Sequence, residues 1–312
     1  MKKSTKITLI VGSALMAVGL VCGLTAWALA GFRLSNLSTV QPAATVEADY
    51  DAADVTSIVV ETAADGVRIV PSDDGRIHVA YPQREGDGGY TLTVRDGRLE
   101  LKQPRRSGSV VWFGFGVELE DADAVVSLPA DWAGDVTLDV SVGDVSGRGV
   151  SVGGGLTASA DGGNVTLQDV AASAISVTLG LGDVEGTGWS VDGAAEVTVD
   201  GGDTDLTDVT AASLTCRAEL GNVTLERAAA ESVAASTDGG DVEVSRLQAD
   251  RIDLRTDMGD VSGTVDGREA DYAVTASTGL GDSSLTSHGG ETDRTLTVTT
   301  DMGDIDVAFI GG

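Results

Sequence analysis

Apolar and polar residues alternate along much of the chain from about residue 50 onward. In the segment "TLDVSVGDVSG", Leu138, Val140 and Val142 occupy every second position. The same alternation recurs in "ISVTLGLGDV" (175–184) and in "TLTVTTDMGDIDV" (295–307). A period of two residues predicts β-strands that bury one face.

A repeated dipeptide, Gly followed by Asp or Asn, interrupts the alternating segments. It recurs at intervals of 20, 19, 20, 19, 19, 19, 22 and 22 residues. We interpret it as a tight corner between two strands, because Gly permits a positive φ and Asp or Asn can bond nearby backbone amides. The predicted corner glycines are Gly143, Gly163, Gly182, Gly202, Gly221, Gly240, Gly259, Gly281 and Gly303.

Strand pairs that repeat about every 20 residues predict an all-β fold of the β-solenoid type. One coil cannot bury its own apolar face, whereas a stack of coils can. Residues 131–312 read as the regular part, which gives about nine coils. Residues 45–130 are less regular and are predicted to form the N-terminal capping part, with a hairpin around Asp96 and Gly97.

The residue two positions before each corner Asp or Asn alternates between a bulky side chain and Gly as far as Met258. Leu181, for example, is followed one repeat later by Gly201. We expect each bulky side chain to fill the space above the neighbouring Gly, as large and small residues do in a packed interior.

The N-terminal segment differs from the rest of the chain. Residues 7–30 form an uncharged run of 24 residues. A helix of that length spans a bilayer, so residues 1–33 are predicted to be a cytoplasmic stub with a single transmembrane anchor, and residues 34–44 a linker. The lysines before the run place the N-terminus in the cytoplasm and the remainder outside the cell membrane. The alternative is a cleaved signal peptide, since Ala28, Leu29 and Ala30 resemble a cleavage site.

Composition narrows the function classes. The chain has 42 Gly and 4 % aromatic residues, which argues against a conventional helical or α/β enzyme core. All 49 acidic residues follow residue 33, and the net charge is −29, so nucleic acid is excluded as a partner. After the predicted anchor only one cysteine, Cys216, remains, so an intrachain disulfide cannot form there.

The stacked corners would place carboxylates in a row, which raises the question of calcium. Calcium prefers oxygen ligands, but the nine-residue motif of calcium-binding β-rolls is missing, and a solvated row of turn residues is the alternative. No other cofactor is predicted. We expect Asn164 and Asn222 to interrupt this row of carboxylates. The calcium candidates are Asp144, Asp183, Asp203, Asp241, Asp260, Asp282 and Asp304.

Enzymatic activity is not expected. His78 and His288 are the only histidines, and neither belongs to a recognisable motif. The sequence contains no nucleophile elbow, phosphate loop or cysteine metal spacing. A polysaccharide-active enzyme is therefore the least favoured function, and no catalytic residues are predicted.

The segment "VSLPADW" (126–132), followed by "TLDVSVGDVSG" and the repeated Gly-Asp corners, resembles the bacterial "putative adhesin" family, a β-strand-repeat domain of unknown function. Membrane-anchored LiaG-like proteins of envelope-stress operons carry a similar domain. The resemblance implies a β-solenoid at the cell surface and supplies no catalytic residues. We therefore expect a surface-interaction module for a cell-wall component, a surface glycan or an envelope protein. The alternative is an accessory or sensor protein in envelope-stress regulation.

Overall fold

A computed structural model describes residues 44–83, 89–104, 123–130, 132–290 and 292–311 of the chain. In these ranges the chain is all-β, with two short 3-10 turns, which confirms the all-β part of the predicted fold. Within the same ranges no helix has the length and hydrophobicity needed to span a bilayer. The predicted anchor lies outside the described residues, as does nearly all of the predicted linker.

The described residues form 25 strands. Their bounds are β1 Ala44–Asp51, β2 Ser57–Thr62, β3 Val67–Ser72, β4 Arg76–Gln83, β5 Thr91–Arg95, β6 Arg98–Lys102, β7 Ala124–Pro129, β8 Asp135–Val142, β9 Val145–Arg148, β10 Gly155–Gly162, β11 Val165–Gln168, β12 Ala171–Ala172, β13 Ala174–Leu181, β14 Val184–Thr187, β15 Ser190–Val191, β16 Ala194–Gly201, β17 Thr204–Thr207, β18 Ser213–Leu220, β19 Val223–Glu226, β20 Ala229–Gly239, β21 Val242–Met258, β22 Val261–Asp266, β23 Ala273–Leu280, β24 Thr295–Met302 and β25 Ile305–Ile310.

Each regular coil contributes one long strand and one short strand, joined by a Gly-Asp or Gly-Asn corner. The long strands pair in parallel from coil to coil, in the order β8, β10, β13, β16, β18, β20 and the second half of β21. The short strands pair in parallel in the order β9, β11, β14, β17, β19, the first half of β21 and β22. These two parallel ladders make the fold solenoid-like, as the repeat predicted.

The in-register pairing stacks apolar side chains into continuous buried rows. Leu138 pairs with Ala158, and Ala158 pairs with Val177, so one core position recurs in coil after coil. All three residues are fully buried. Aliphatic residues dominate this core, and their stacking between the ladders provides the main stabilisation through removal of apolar surface from water.

The N-terminal part adds antiparallel strands to both ladders. Strand β1 pairs with β4, and β4 pairs with β7, both in antiparallel fashion. Strands β5 and β6 form a hairpin whose two-residue loop is Asp96 (φ 50°) and Gly97 (φ 77°). Two positive φ values are the geometry of a type I′ turn, which confirms the hairpin predicted at this site.

At the C-terminal end the spatial order departs from the sequence order. Strand β24 pairs in parallel with β21 on one side and with β23 on the other. The last coil is therefore inserted between two earlier ones, and β23 becomes the terminal strand of the long ladder. The two longest intervals of the repeat, both 22 residues, accompany this exchange.

Candidate functional site

The nine predicted corner glycines all lie at corners and all have positive φ, between 131° and 156°. Eight of them also lie against the preceding corner in the stack. A Cβ added to Gly182 would come within 1.9 Å of the Gly163 carbonyl oxygen, and a Cβ on Gly163 within 2.2 Å of the Gly143 oxygen. Glycine is therefore required for two reasons at these corners, the positive dihedral angle and the close approach of the preceding coil.

The Asp and Asn residues of the corners form a hydrogen-bonded row, named here the corner row. In each case the side-chain Oδ1 accepts a hydrogen bond from the backbone N–H of the next corner Asp or Asn. The eight donor–acceptor distances lie between 2.7 and 3.0 Å. In spatial order the corner row is Asp144, Asn164, Asp183, Asp203, Asn222, Asp241, Asp260, Asp304 and Asp282.

The corner row corrects two sequence-based expectations. Asn164 and Asn222 do not interrupt the row, because each amide oxygen accepts the same backbone hydrogen bond as a carboxylate. The last two members are exchanged, since Asp304 lies between Asp260 and Asp282. Among the described residues, no group of three or more His, Cys, Asp or Glu side chains is arranged to hold a metal ion.

The residues two positions before the corner row form an exposed strip, named here the apolar ridge. Its bulky members are 47–70 % exposed, so any packing of bulky residues over glycines occurs at the surface. Leu181 does lie against the next coil, with its Cδ2 3.0 Å from the position of a Cβ on Gly201, whereas no atom lies within 4 Å of such a Cβ on Gly162. In spatial order the ridge is Val142, Gly162, Leu181, Gly201, Leu220, Gly239, Met258, Met302 and Leu280.

The outward positions of the long-strand ladder form a polar surface, named here the hydroxyl face. Two adjacent rows of this face hold 18 side chains, of which 12 are Ser or Thr. The first row is Thr137, Thr157, Ser176, Glu196, Thr215, Ala234, Asp253, Thr297 and Thr275, and the second is Asp139, Ser159, Thr178, Thr198, Arg217, Ser236, Arg255, Thr299 and Ser277.

A notch of about 160 Å³ opens in the hydroxyl face between Arg217 and Arg255. It exists because the strand between them carries the small residues Ala234 and Ser236 at the outward positions. The two guanidinium groups are held by neighbouring carboxylates, Arg255 by a bidentate pair with Asp253 at 2.8 Å. Sequence analysis did not identify this notch, since it depends on which residues become neighbours across three coils.

The cysteine at the floor of the notch is not a reactive group. Cys216 is 1 % exposed, and burial raises the pKa of its thiol to about 12. A thiol that stays protonated at neutral pH is a poor nucleophile and a poor metal ligand. The notch can therefore offer hydrogen bonds from its hydroxyl and guanidinium groups but no covalent chemistry from Cys216.

An open cavity of about 630 Å³ lies at the N-terminal part, beside β5 and β6. Lys102 Nζ lies 3.0 Å from Glu61 Oε1 and 3.0 Å from Glu100 Oε1. Hydrogen bonds to Glu100 and Glu61 raise the pKa of Lys102, and the Lys102 partner lowers the pKa of Glu100. A catalytic lysine needs the opposite shift, so the cavity holds an ion-paired cluster rather than a general base.

His78 is the centre of a second ion-paired cluster. Its Nδ1 lies 2.7 Å from Asp49 Oδ1 and its Nε2 lies 2.8 Å from Asp74 Oδ1. The two carboxylates raise the pKa of His78, and the hydrogen bond from His78 lowers the pKa of Asp74 to about 2. Both ring nitrogens are engaged, so the imidazolium here acts as a clamp between strands β1 and β4.

A second row of left-handed residues escaped the sequence analysis. It lies five residues after the corner Asp or Asn, with φ between 53° and 68°. The signal was readable in its Gly and Asp members, which tolerate this conformation, but not in its arginines. The row consists of Gly149, Asp169, Gly188, Asp208, Arg227 and Arg246.

Comparison with known proteins gives one family and several matching solved structures. The Toastrack DUF4097 family matches residues 55–308. A putative adhesin from Bacteroides fragilis is 16 % identical with a TM-score of 0.40, and covers 86 % of this chain and 100 % of its own. A putative cell adhesion protein from Clostridium sporogenes is 10 % identical with a TM-score of 0.27, and the match covers 86 % of this chain and 100 % of that protein. A putative adhesin from Parabacteroides merdae is 11 % identical with a TM-score of 0.27, and the match covers 86 % of this chain and 97 % of that protein. No curated protein matches the sequence.

Proposed function

The chain belongs to the Toastrack DUF4097 family, as the resemblance predicted, and on that premise we propose that it is a non-catalytic, adhesin-like surface-interaction module. In this proposal residues 1–33 hold it in the cell membrane as a single-pass anchor with a cytoplasmic N-terminus, and the β-strand repeats lie outside. Its ligand is a polysaccharide of the cell wall or of another surface.

The notch in the hydroxyl face is the observation that carries this proposal. Ser and Thr hydroxyls both donate and accept hydrogen bonds, which suits the hydroxyl groups of a sugar. Arg217 and Arg255 add planar donors that fit carboxylate or phosphate groups, which are common on surface polymers. Glu196 and Asp253 balance the charges of these arginines, so the notch is close to neutral on a chain whose net charge is −29.

The repetition of the hydroxyl face also favours a polymer over a small ligand. Neighbouring coils present equivalent outward positions about 4.8 Å apart. A repeating ligand can therefore contact several coils at once, and several weak contacts together give useful retention. No side chain in this account has to act as an acid, a base or a nucleophile.

Retention on isolated cell walls tests the proposal. The purified full-length chain is incubated with cell walls of the producing organism and with unrelated surfaces, with calcium or with a chelator. We expect retention on cell walls that decreases in the Arg217→Ser/Arg255→Ser variant. The matched control is Arg148→Ser, which removes an exposed arginine of strand β9 and leaves the notch intact.

Each arm of this experiment has a definite reading. Retention that requires calcium supports the corner carboxylates as a calcium site, and retention that is indifferent to chelator removes the metal from the account. Equal retention of the Arg217→Ser/Arg255→Ser and Arg148→Ser variants overturns the notch as the binding site. No retention on any surface overturns the adhesin-like function and favours the accessory or sensor protein of envelope-stress regulation.

A further inference from the structure

The apolar ridge contains most of the exposed bulky hydrophobic side chains of the described residues. Eight such side chains are more than a third exposed, and six of them belong to the ridge. Single exposed hydrophobic residues are ordinary, whereas a row of them on one edge marks an interaction surface. The six are Val142, Leu181, Leu220, Met258, Met302 and Leu280, and the other two are Val94 and Ile310.

The glycines between the bulky residues leave shallow, partly covered gaps. Leu181 leans over Gly201, as described above, and Leu220 Cδ2 lies 3.2 Å from the position of a Cβ on Gly239. The strip therefore stays apolar along its length, with bulky and low positions in alternation. It offers both knobs and holes to a partner.

Carboxylates border the ridge on both sides. One border is the corner row with its seven Asp residues. The other is the outward row one residue before the ridge, which contains six exposed acidic residues and no Lys or Arg. These six are Asp161, Asp200, Glu219, Asp238, Asp257 and Asp301. A partner that covers the ridge must carry positive charge along both flanks, because an acidic or neutral partner would leave these carboxylates repelling one another.

The backbone along the ridge is already paired, so a partner must be recognised through side chains. The Leu181 carbonyl accepts from the Gly163 N–H, and the Gly201 carbonyl accepts from the Gly182 N–H, both at 3.0 Å. The same pattern continues at Leu220. A β-strand cannot add here by main-chain hydrogen bonding, whereas an α-helix, which satisfies its own backbone, can pack on the strip.

We propose that the apolar ridge docks a cationic amphipathic α-helix that lies along the stacking direction. Ridge gaps recur every second coil, about 9.6 Å apart, and a helix rises about 10.5 Å over seven residues. The side chains on one face of a β-strand recur about every 6.8 Å, which does not match the spacing of the ridge gaps. From Val142 to Met258 the ridge spans six coil steps, about 29 Å, which corresponds to a helix of about 20 residues.

This inference goes beyond the proposed function, because it uses a different surface and a different class of partner. The hydroxyl face and the ridge lie on the same long strands, but the arginine notch faces outward while the ridge lies at the corner. A failure of one binding activity therefore leaves the other measurable in the same preparation.

Peptide binding to the full-length chain tests the inference. The probe is a fluorescent 20-residue peptide with Leu in a heptad pattern and Lys at the remaining positions, and binding is followed by anisotropy. We expect the Leu181→Ser/Leu220→Ser variant to bind at least tenfold more weakly. Val94→Ser, which removes an exposed valine of strand β5, should change the affinity by less than twofold.

Charge is tested separately. Asp200→Asn/Asp238→Asn should weaken binding and reduce its salt dependence, while the control Glu185→Gln/Asp205→Asn, on the short strands, should not. A peptide of the same composition in scrambled order should bind weakly and equally to every ridge variant. Each of these results supports docking on the ridge.

Two outcomes overturn the inference. Equal binding of the ordered and scrambled peptides would show attraction to net charge alone. Equal affinity of the wild-type chain and the Leu181→Ser/Leu220→Ser variant would place the peptide elsewhere. Both leucines are solvent-exposed, so the variant should keep its melting temperature, and a thermal melt verifies this before binding is measured.

Discussion

Two adjacent glycines at one corner provide a stringent test of the fold. Gly163 has φ +131°, and a Cβ there would lie 2.2 Å from the Gly143 carbonyl oxygen of the neighbouring coil. Gly162, one residue earlier, has no atom within 4 Å of its added Cβ and no positive φ. Substitution to Ala therefore adds the same methyl group at both positions, with a clash at only one.

The cost at Gly163 has two sources. A non-Gly residue held in a sparsely populated region of φ and ψ costs about 1–3 kcal/mol. Relief of the 2.2 Å contact requires the Gly143 and Gly163 coils to separate. This weakens the backbone hydrogen bonds between them, such as Gly143 N–H to the Gly162 carbonyl, at about 1 kcal/mol each. Together these two costs should lower the free energy of unfolding of Gly163→Ala by about 3–5 kcal/mol. Gly162→Ala should stay within about 1 kcal/mol of wild type, because alanine also reduces the conformational entropy of the unfolded chain and so favours folding.

Thermal unfolding of the full-length chain, followed by the β-sheet circular dichroism signal, measures both variants. For a domain of this size about 1 kcal/mol corresponds to 2–4 °C, so Gly163→Ala should lower Tm by roughly 6–20 °C. Gly162→Ala should shift Tm by no more than about 4 °C. Equal melting temperatures for the two variants would refute the corner geometry, since the methyl group would then be tolerated where the Gly143 carbonyl of the preceding coil lies.

Substitutions at three further positions test individual side chains. Thr204→Val should raise the free energy of unfolding in urea by about 1 kcal/mol, because the buried Thr204 hydroxyl has no hydrogen-bond partner. The neighbouring coils carry Val at the same position, Val184 and Val223. A loss of stability would contradict this expectation. Asp203→Ala should lower the free energy of unfolding by about 1–2 kcal/mol in the same assay, because the Asn222 N–H loses its acceptor. Asp203→Asn keeps an acceptor oxygen and should be nearly neutral. An equal loss of stability in both variants would show that charge matters more than the hydrogen bond. The pKa of His78 is raised in the folded state, so its ion pairs stabilise the fold fully below the unfolded-state pKa of about 6.5. This contribution is lost as pH rises through the higher folded-state pKa, so Tm should fall over that range in the wild type and not in His78→Gln. Parallel pH profiles of Tm for the two proteins would exclude the clamp.

The sequence was sufficient to predict the features that a coil needs locally. A period of two residues marks a strand whatever surrounds it, and Asp96-Gly97 can hardly form anything but a tight hairpin turn. The corner dipeptide was readable for the same reason, because only Gly accepts the dihedral angle found at Gly143 and its eight equivalents. Each of these features depends on residues within one coil.

What the sequence could not predict depends on residues in different coils. The insertion of β24 between β21 and β23 changes the neighbours of Asp282 and Met302, although neither residue's local pattern is unusual. The exposure of Leu181 also ran against its apolar character, because the strand turns at the corner before its alternation would direct that side chain inward. The Arg217 notch required knowledge of which small residues lie on the next strand.

The corner row explains why its acidity need not mean a metal site. Each Oδ1 already accepts a backbone hydrogen bond, and the Asn residues at two of the nine positions perform this task without charge. Carboxylates stacked about 4.8 Å apart repel one another, so Asn dilutes the charge where it occurs.

The spatial order leaves the longest uninterrupted run of carboxylates at the C-terminal end, from Asp241 to Asp282. That run lies beside Met258, Met302 and Leu280, where the ridge has no gaps, so the electrostatic gain from a cationic partner should be largest at this end. Binding should accordingly weaken more when charge is removed at Asp260, beside Met258 at the C-terminal end of the docked helix, than at Asp144 at its other end.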